Sequence, residues 1–251
     1  MANEQLFNNR AGNYVKGRFG YAQGVVDLVC NEILKPNHKI ADIGSGTGIF
    51  AEEFIKRGYD VYCVEPNEDM RLQAKKLLGV NPHYISVAAS AEATTLPEHS
   101  VDLITVASAF HWFDAKRFYI ECKRILKADG ILFTVANGRD YSDPFTLEQH
   151  KLCEKYCKDF TSLRHGIDKS MPQYEKIFGN NLHHIEFDFP LEYTKERFIQ
   201  RSLSSSYAPE PNTEEYEAYI KALWELMDQF APSSSSIIVP NASIVYWGKL
   251  S

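Results

Sequence analysis

Ile40-Ala41-Asp42-Ile43-Gly44-Ser45-Gly46-Thr47-Gly48-Ile49-Phe50 runs from a short apolar strand through three glycines at alternate positions into the start of a helix. Glycine belongs where a backbone turns sharply at a strand's end and where a ligand must approach without meeting a Cβ, so the pattern is that of a nucleotide-cofactor loop. The next apolar run, Asp60-Val61-Tyr62-Cys63-Val64, delivers Glu65, a carboxylate able to accept both hydroxyls of a ribose. The dinucleotide fingerprint wants a third glycine five positions after the first. That position is Ile49 and the third glycine is Gly48, so the spacing is not that of a dehydrogenase. A tight strand-to-helix turn with no ligand is the bland alternative for the loop taken alone.

Outward from this stretch, strand and helix signals alternate at the rhythm of a parallel α/β sheet. Tyr21 to Leu34 reads as a helix, with Tyr21, Val25, Leu28, Val29 and Ile33 on one face. Strands are expected at Lys39 to Ile43, Asp60 to Val64, His83 to Val87, Val101 to Ala107 and Ile131 to Ala136. Between them fall helices over Ile49 to Arg57, stopped by Gly58, over the residues from an Asn67 cap to Leu78, and over Ala115 to Leu126. From Arg139 the rhythm breaks. His184 to Phe189 and Ser243 to Gly248 offer two more strands, and Glu214 to Phe230 is a clear helix carrying Tyr216, Tyr219, Ile220, Leu223, Met227 and Phe230 on one stripe. Asn212 with Glu215 is the expected cap, and packing is the expected role of the stripe.

Composition agrees with one compact unit. At 251 residues, 44% hydrophobic and 24% charged, the chain can bury a sizeable core, and 1–251 is expected to form a single domain. A net charge of −6 lacks the basic footprint of a nucleic-acid binder. No run approaches 18 apolar residues, and Met1 to Arg10 lacks the apolar core of a signal peptide, so a cytoplasmic protein with no membrane partner is expected. The five cysteines, Cys30, Cys63, Cys122, Cys153 and Cys157, are odd in number and scattered, as reduced thiols would be. Cys153 and Cys157 have helical spacing but no second pair with zinc-type spacing, and the eight histidines form no ligand cluster, so no metal is expected.

Further motifs follow in order: Ala91-Glu92-Ala93-Thr94-Thr95-Leu96-Pro97, Ser100-Val101-Asp102-Leu103-Ile104-Thr105-Val106, Ala109-Phe110-His111-Trp112-Phe113 and Arg124-Ile125-Leu126-Lys127-Ala128-Asp129-Gly130-Ile131-Leu132. With the glycine loop and Glu65, the set resembles class I S-adenosylmethionine-dependent methyltransferases. It looks most like the type 11 small-molecule branch, whose relatives include trans-aconitate methyltransferase. The resemblance covers roughly residues 10 to 137 and is much looser beyond Asn137. It implies an α/β fold: a Rossmann-like, seven-stranded, mostly parallel sheet with helices on both faces and the last strand antiparallel. The core would comprise about 21–137 with the strands near 184–189 and 243–248, and insertions at about 139–180 and 194–236 would form a helical cap over the carboxyl ends of the strands.

By the same resemblance, the cofactor is S-adenosyl-L-methionine and the product S-adenosyl-L-homocysteine. Gly44, Ser45 and Gly46, with Gly48, would meet the methionine portion and ribose; Asp42 would order the loop through hydrogen bonds; Glu65 would hold the ribose hydroxyls; Pro66 or Asn67 would flank the adenine. Where many relatives carry an acidic residue for the adenine amino group, this chain has Ser90-Ala91-Glu92, so that contact falls to Ser90, Glu92 or the Ala91 backbone. Ser108 or Ala107 would lie beside the methionine portion. The segment Tyr14 to Tyr21 looks like the Tyr-x-x-x-Arg-Pro-x-Tyr segment of these relatives, with Phe19 in place of proline, and makes Arg18 a partner for the cofactor's carboxylate and Tyr14 a wall or hydrogen-bonding group.

His111 stands after the fourth strand, where donor methyl and acceptor would meet. Its unperturbed chemistry suits a general base near neutral pH, and a positioning or packing role is the alternative. Methyl transfer from a sulfonium needs mainly alignment and desolvation, and a carboxylate acceptor needs no base. Residues 107–110 read Ala-Ser-Ala-Phe rather than the Asn/Asp-Pro-Pro-aromatic motif of many amino-methyltransferases. Arg139, Arg164, His165, Arg197 and Arg201 could supply an anion clamp in the cap. Three readings stand: a small-molecule methyltransferase, an enzyme modifying RNA or protein, and a cofactor-binding scaffold without turnover. The chain leaves its oligomeric state open.

Overall fold

A computed structural model describes residues 19–233 and 235–251. Tyr14 and Arg18 lie outside the described residues. At the centre is β1 (Lys39–Ile43), whose last four residues are all buried. A strand with no solvent face belongs inside a parallel sheet covered on both sides, and its unbroken apolar character follows from that. Around it a seven-stranded sheet runs β3 (Tyr84–Val87), β2 (Asp60–Val64), β1, β4 (Val101–Ala107), β5 (Leu126–Arg139), β9 (Asn241–Gly248), β6 (His183–Asp188). Pairings are parallel from β3 to β5, and only β9 runs against its neighbours. This is the fold expected above, including the antiparallel last strand.

Both faces carry helices. Against one lie α1 (Gln23–Leu28, continued by a π turn over Val29–Ile33), α2 (Ala51–Ile55) and α3 (Glu68–Leu78), packing Val25, Phe54 and Leu78 with Ile40, Leu103 and Phe133 of the sheet. Against the other lie α4 (Ala115–Ile125) and, after α5 (Pro144–Tyr156), α6 (His165–Phe178), which pack Phe118, Ile125, Ile167 and Phe178 with Ile43, Ile104 and Ile244. A third cluster belongs to the cap. There β7 (Leu191–Thr194) and β8 (Ser236–Val239) form a two-stranded sheet, while α7 (Lys195–Leu203) and α8 (Glu214–Phe230) pack with α5 through Phe145, Cys153, Phe198, Tyr219, Leu223 and Met227. The tyrosine and methionine stripe of α8 is therefore interior packing. The two-stranded sheet was not among the expected elements, because four-residue strands are too short to show a period.

Several boundaries differ from expectation for local reasons. The first helix does not run regularly to Leu34: the Leu34 amide donates to the Val29 carbonyl five residues back, at 2.8 Å, which opens a π turn. The helix after the glycine loop starts only at Ala51, because Gly48 takes φ +84° and the chain spends the next residues turning, while Gly58 at φ +82° ends it as expected. β5 begins at Leu126, immediately after α4, and the register slips between Val101 and Leu103, so the Asp129-Gly130 turn lies inside the strand's irregular start. Thr213, not Asn212, caps α8, accepting from the Tyr216 amide at 3.2 Å. Asn212 instead takes the left-handed turn position, φ +66°, which asparagine tolerates better than threonine. Asn67 caps α3 as expected, its side chain accepting from the Met70 amide at 3.0 Å.

Candidate active site

The strand order reverses between β1 and β4, and the crevice beyond the carboxyl ends of these two strands is where open α/β sheets take ligands. The glycine loop fills its floor. Gly44, Gly46 and Gly48 have φ of +69°, +55° and +84°, conformations that side chains disfavour. A Cβ on Gly44 would come within 2.6 Å of the Ala109 Cβ and one on Gly48 within 2.6 Å of Leu78 Cδ1, whereas one on Gly46 would meet nothing within 4 Å, so the loop is packed at both ends and open in the middle. The Gly44 and Ser45 amides donate to the Val64 carbonyl at 2.9 and 3.2 Å.

Glu65 ties the open middle down. One carboxylate oxygen accepts from the Gly46 amide at 3.0 Å and the other from the Asn67 amide at 2.9 Å, while Arg71 donates to the Glu65 and Pro66 carbonyls at 2.9 and 2.6 Å. Asp42 was expected to order the loop. Its Oδ1 instead accepts from the Thr105 hydroxyl of β4 at 2.7 Å, and its Oδ2 is buried with no partner. Complete burial raises this carboxyl to about 7, with nearby Glu65 adding to the rise and the Thr105 hydrogen bond opposing it. The hydroxyls of Ser45 and Thr47 are likewise buried and unpartnered.

A cavity of about 560 Å³ opens above the loop and brings together Gly44, Gly46, Glu65, Pro66, Asn67, Ser90, Ala91, Glu92, Ser108 and His111. Ser45 faces a smaller adjoining cavity of about 90 Å³. Ser90 forms an isolated bridge with Ala93, and the Glu92 carboxylate accepts from the Asp114 amide at 2.9 Å, just before α4. Ser108 sits at φ +54° with its hydroxyl accepting from the Tyr21 hydroxyl at 3.0 Å. His111 lies on a single 3-10 turn, Phe110–Trp112. Its ring is fenced by Trp112, centroids 4.8 Å apart, and by the start of α6, where a Cβ on Gly166 would approach the His111 Nδ1 to 2.7 Å. Lys169 donates to the His111 carbonyl at 2.6 Å. Gly166 thus makes room for the histidine, a role that a lone glycine in a helical pattern does not announce.

The candidate arginines divide. Arg164 lines the larger cavity, Arg139 the smaller, and Arg201 both, whereas Arg197 stacks on Phe19 at 3.5 Å. Arg139 is buried, 8% exposed; its Nη2 donates to the Tyr193 hydroxyl at 3.1 Å and its Nη1 has no partner. Beside it Gln149 and Asn241, also buried, leave Oε1 and Nδ2 unpartnered. Sequence reasoning passed over Gln149, Tyr193 and Asn241. The sole trace of them is the strand pairing that sets Asn241 opposite Arg139, which no local pattern encodes.

Among the described residues, no helix is long and apolar enough to cross a membrane, and no group of three His, Cys, Asp or Glu is arranged to hold a metal ion.

Residues 41–134 match the family model described as a methyltransferase domain. An uncharacterized methyltransferase of Mycobacterium tuberculosis is 32% identical over 134 residues, 53% of each chain. An uncharacterized methyltransferase-like protein of Schizosaccharomyces pombe is 31% identical over 160 residues, 63% of this chain and 61% of that one. The chain thus spans about half to three fifths of the length of these curated relatives. Among solved structures, a chain from Anaeromyxobacter dehalogenans described as a type II methyltransferase superposes with a TM-score of 0.68 at 18% identity, covering 92% of this chain and 97% of that one. The phosphoethanolamine N-methyltransferase 2 of Haemonchus contortus, solved with phosphomonomethylethanolamine and S-adenosylhomocysteine, gives 0.55 at 12% identity over 97% of this chain and 57% of that one. At these identities the structural likeness speaks for the fold.

Proposed function

We propose that this chain is a class I S-adenosylmethionine-dependent methyltransferase acting on a small molecule, working as one unit from core to cap in the cytosol. One observation carries the reading: Gly44 and Gly46 of the loop, the Glu65 carboxylate and Ser90 to Glu92 line one cavity of about 560 Å³ at the carboxyl ends of the strands, and Ser45 Oγ and Thr47 Oγ1 are buried without partners where the loop borders the smaller adjoining cavity. Buried polar atoms are as a rule paired, so the two orphan hydroxyls on the loop mark where a polar ligand completes the structure. Their chemistry fits a ribose and an amino acid better than an apolar ligand. The matched methyltransferase domain and the cofactor product in the Haemonchus contortus enzyme support the same assignment.

When bound, S-adenosylmethionine supplies a methyl group on a cationic sulfur; the sulfur–carbon bond breaks as the bond to the acceptor forms, leaving S-adenosylhomocysteine. The chain's own work is binding, alignment and exclusion of water. Glu65, held at a fixed orientation by the Gly46 and Asn67 amides, lines the larger cavity, where its carboxylate would accept from ribose hydroxyls. In the same cavity, which they all line, Pro66 would flank the base, Ser90 to Glu92 would offer polar contacts at its edge, and Ser108, bound by Tyr21, would meet the methionine end. Tyr14 and Arg18 are assigned to the amino-acid end on the resemblance alone. His111, at the cavity wall, takes a proton if the acceptor is a hydroxyl or amine and orients the acceptor if it is an anion.

The test is calorimetric titration with S-adenosylmethionine, S-adenosylhomocysteine and NADH side by side. Micromolar binding of the two sulfur nucleotides and none of NADH is expected. No binding of either sulfur nucleotide by folded protein overturns the reading. A gel shift with RNA at physiological salt moves the acceptor to a macromolecule.

A further inference from the structure

Arg139 has a cost to explain. Its guanidinium is nine-tenths buried, it forms no ion pair among the described residues, and one terminal nitrogen lacks any hydrogen-bond partner. A lysine in that place could shed its proton, but arginine keeps its charge at any pH the protein meets. A buried cation left unpaired is strongly destabilising, so the charge is either matched by a ligand or carried at a loss. Among the described residues, the cavity that Arg139 faces is lined by a second guanidinium, Arg201, and by no carboxylate.

The neighbouring groups have a matching geometry. Arg139 and Asn241 are register partners on β5 and β9, so their side chains leave the same face of the sheet side by side. Asn241 Nδ2 is a second buried donor without a partner. Gln149 reaches the same space from α5, and the amide it leaves unpaired offers either a donor or an acceptor according to which way it turns. Two donors from rigid strands flanking a cavity of about 90 Å³ suit a planar group with two acceptor oxygens, and leave no room for a large one. The Tyr193 ring beneath the guanidinium, 4.9 Å from its carbon, and the bond from Nη2 to the Tyr193 hydroxyl at 3.1 Å fix the orientation of the fork.

The small cavity shares Gly44, Ser108, Asn137, Arg201 and Tyr207 with the large one. A compact molecule can therefore anchor in one and react in the other. We infer that the acceptor is an organic acid of a few carbons, one carboxylate of which seats between Arg139 Nη1 and Asn241 Nδ2 while the rest of the molecule extends past Ser108 toward the larger cavity. This rests on the methyltransferase reading of that larger cavity. Arg139 is a binding residue for the acceptor and touches none of the atoms proposed to react.

The amino-acid carboxylate of the cofactor is the other source of the same chemistry, and the experiment separates the two. Wild-type protein is first titrated with S-adenosylhomocysteine and with 5′-methylthioadenosine, which lacks the carboxylate. Protein saturated with S-adenosylhomocysteine is then titrated with malonate, succinate and glutarate, and with succinamide as the uncharged control. The expected result is that at least one dicarboxylate binds and succinamide does not, that Arg139→Gln and, independently, Asn241→Ala weaken that dicarboxylate tenfold or more, and that both variants keep wild-type affinity for S-adenosylhomocysteine. Failure of all three dicarboxylates to bind the saturated protein overturns the inference, as does undiminished binding by Arg139→Gln. If Arg139→Gln instead loses affinity for S-adenosylhomocysteine down to that for 5′-methylthioadenosine, the seat belongs to the cofactor and the acceptor assignment falls. If wild-type protein binds no sulfur nucleotide, it is the methyltransferase reading that fails.

Discussion

Two buried polar clusters, one between α4 and the β3–β4 connection and one between β5, β9 and α5, are built to opposite specifications. In the first, the Glu121 carboxylate accepts from the Thr94 amide and hydroxyl at 2.8 and 2.6 Å and from Arg124 Nε and Nη2 at 2.8 and 2.6 Å, while Arg124 Nη1 donates to the Leu96 carbonyl at 2.8 Å. Charge meets charge and each group has its partners. The Arg124 hydrogen bonds, against the opposing effect of burial, hold the Glu121 carboxyl down at about 2, with Thr94 contributing. In the second, Arg139, Gln149 and Asn241 each keep a polar atom unpaired, and Asp42, Ser45 and Thr47 do the same along the adjoining loop. A closed network stabilises the fold; an open one stabilises whatever completes it. The contrast locates the site without reference to any relative.

The largest expected effect tests the open side by pH. Asp42 has a carboxyl raised from 3.8 to about 7, so the folded state binds its proton more tightly than the unfolded chain, and ligand-free stability should fall as pH rises from about 4 to about 7, with a ceiling of ~4 kcal/mol at ~1.4 kcal/mol per unit. Glu121 gives the opposite slope: its contribution is complete above about 4.5 and is lost as pH falls toward 2. Urea midpoints measured across this range should peak between the two limbs, and Asp42→Asn should remove the upper one. A wild-type profile flat from pH 4 to 7 would break the comparison on this side.

Next in size, Glu121→Ala strands Arg124 and the Thr94 amide and should destabilise the ligand-free protein by about 2–3 kcal/mol in urea unfolding, with little change in cofactor affinity. On the open side, Glu65→Ala should cost about 2 kcal/mol of S-adenosylhomocysteine affinity by calorimetry, the loss expected of a charge-assisted hydrogen bond. Unchanged affinity would remove Glu65 from the ribose. The smallest effect carries the reversed sign. Arg139→Met replaces an unpaired buried charge by an apolar side chain and should stabilise the ligand-free protein by about 1 kcal/mol, where a residue serving the fold would destabilise it.

Much of the scaffold around these clusters was legible in the chain. The Lys39–Ile43, Asp60–Val64 and Val101–Ala107 strands lie where apolar runs between turn residues placed them, and Asn67 caps its helix because its side chain, its spacing to Met70 and the apolar run that follows are all local facts. The loop glycines were legible for the same reason, since positive φ is a property of one residue and its immediate neighbours. Asp42 lies beside the loop in sequence, yet its hydrogen bond goes to Thr105 on the adjacent strand, a partner that no local stretch announces. The five candidate cations of the cap could not be sorted by pattern, because Arg139 and Arg197 look alike until packing buries one against Tyr193 and stacks the other on Phe19.

The sequence by itself determined the alternation of strands and helices, the glycine loop with Glu65 one strand later, and hence the end of the sheet at which a cofactor would sit, because hydrophobic period, turn chemistry and caps act over a few residues. Only the tertiary structure decided which side chains are left without partners. That Arg139 of β5, Gln149 of α5 and Asn241 of β9 converge on one small cavity, while Glu121 and Arg124 are fully satisfied, depends on how elements distant in the chain pack. Hydrogen-bond satisfaction is a property of that packing, and no local stretch of sequence carries it.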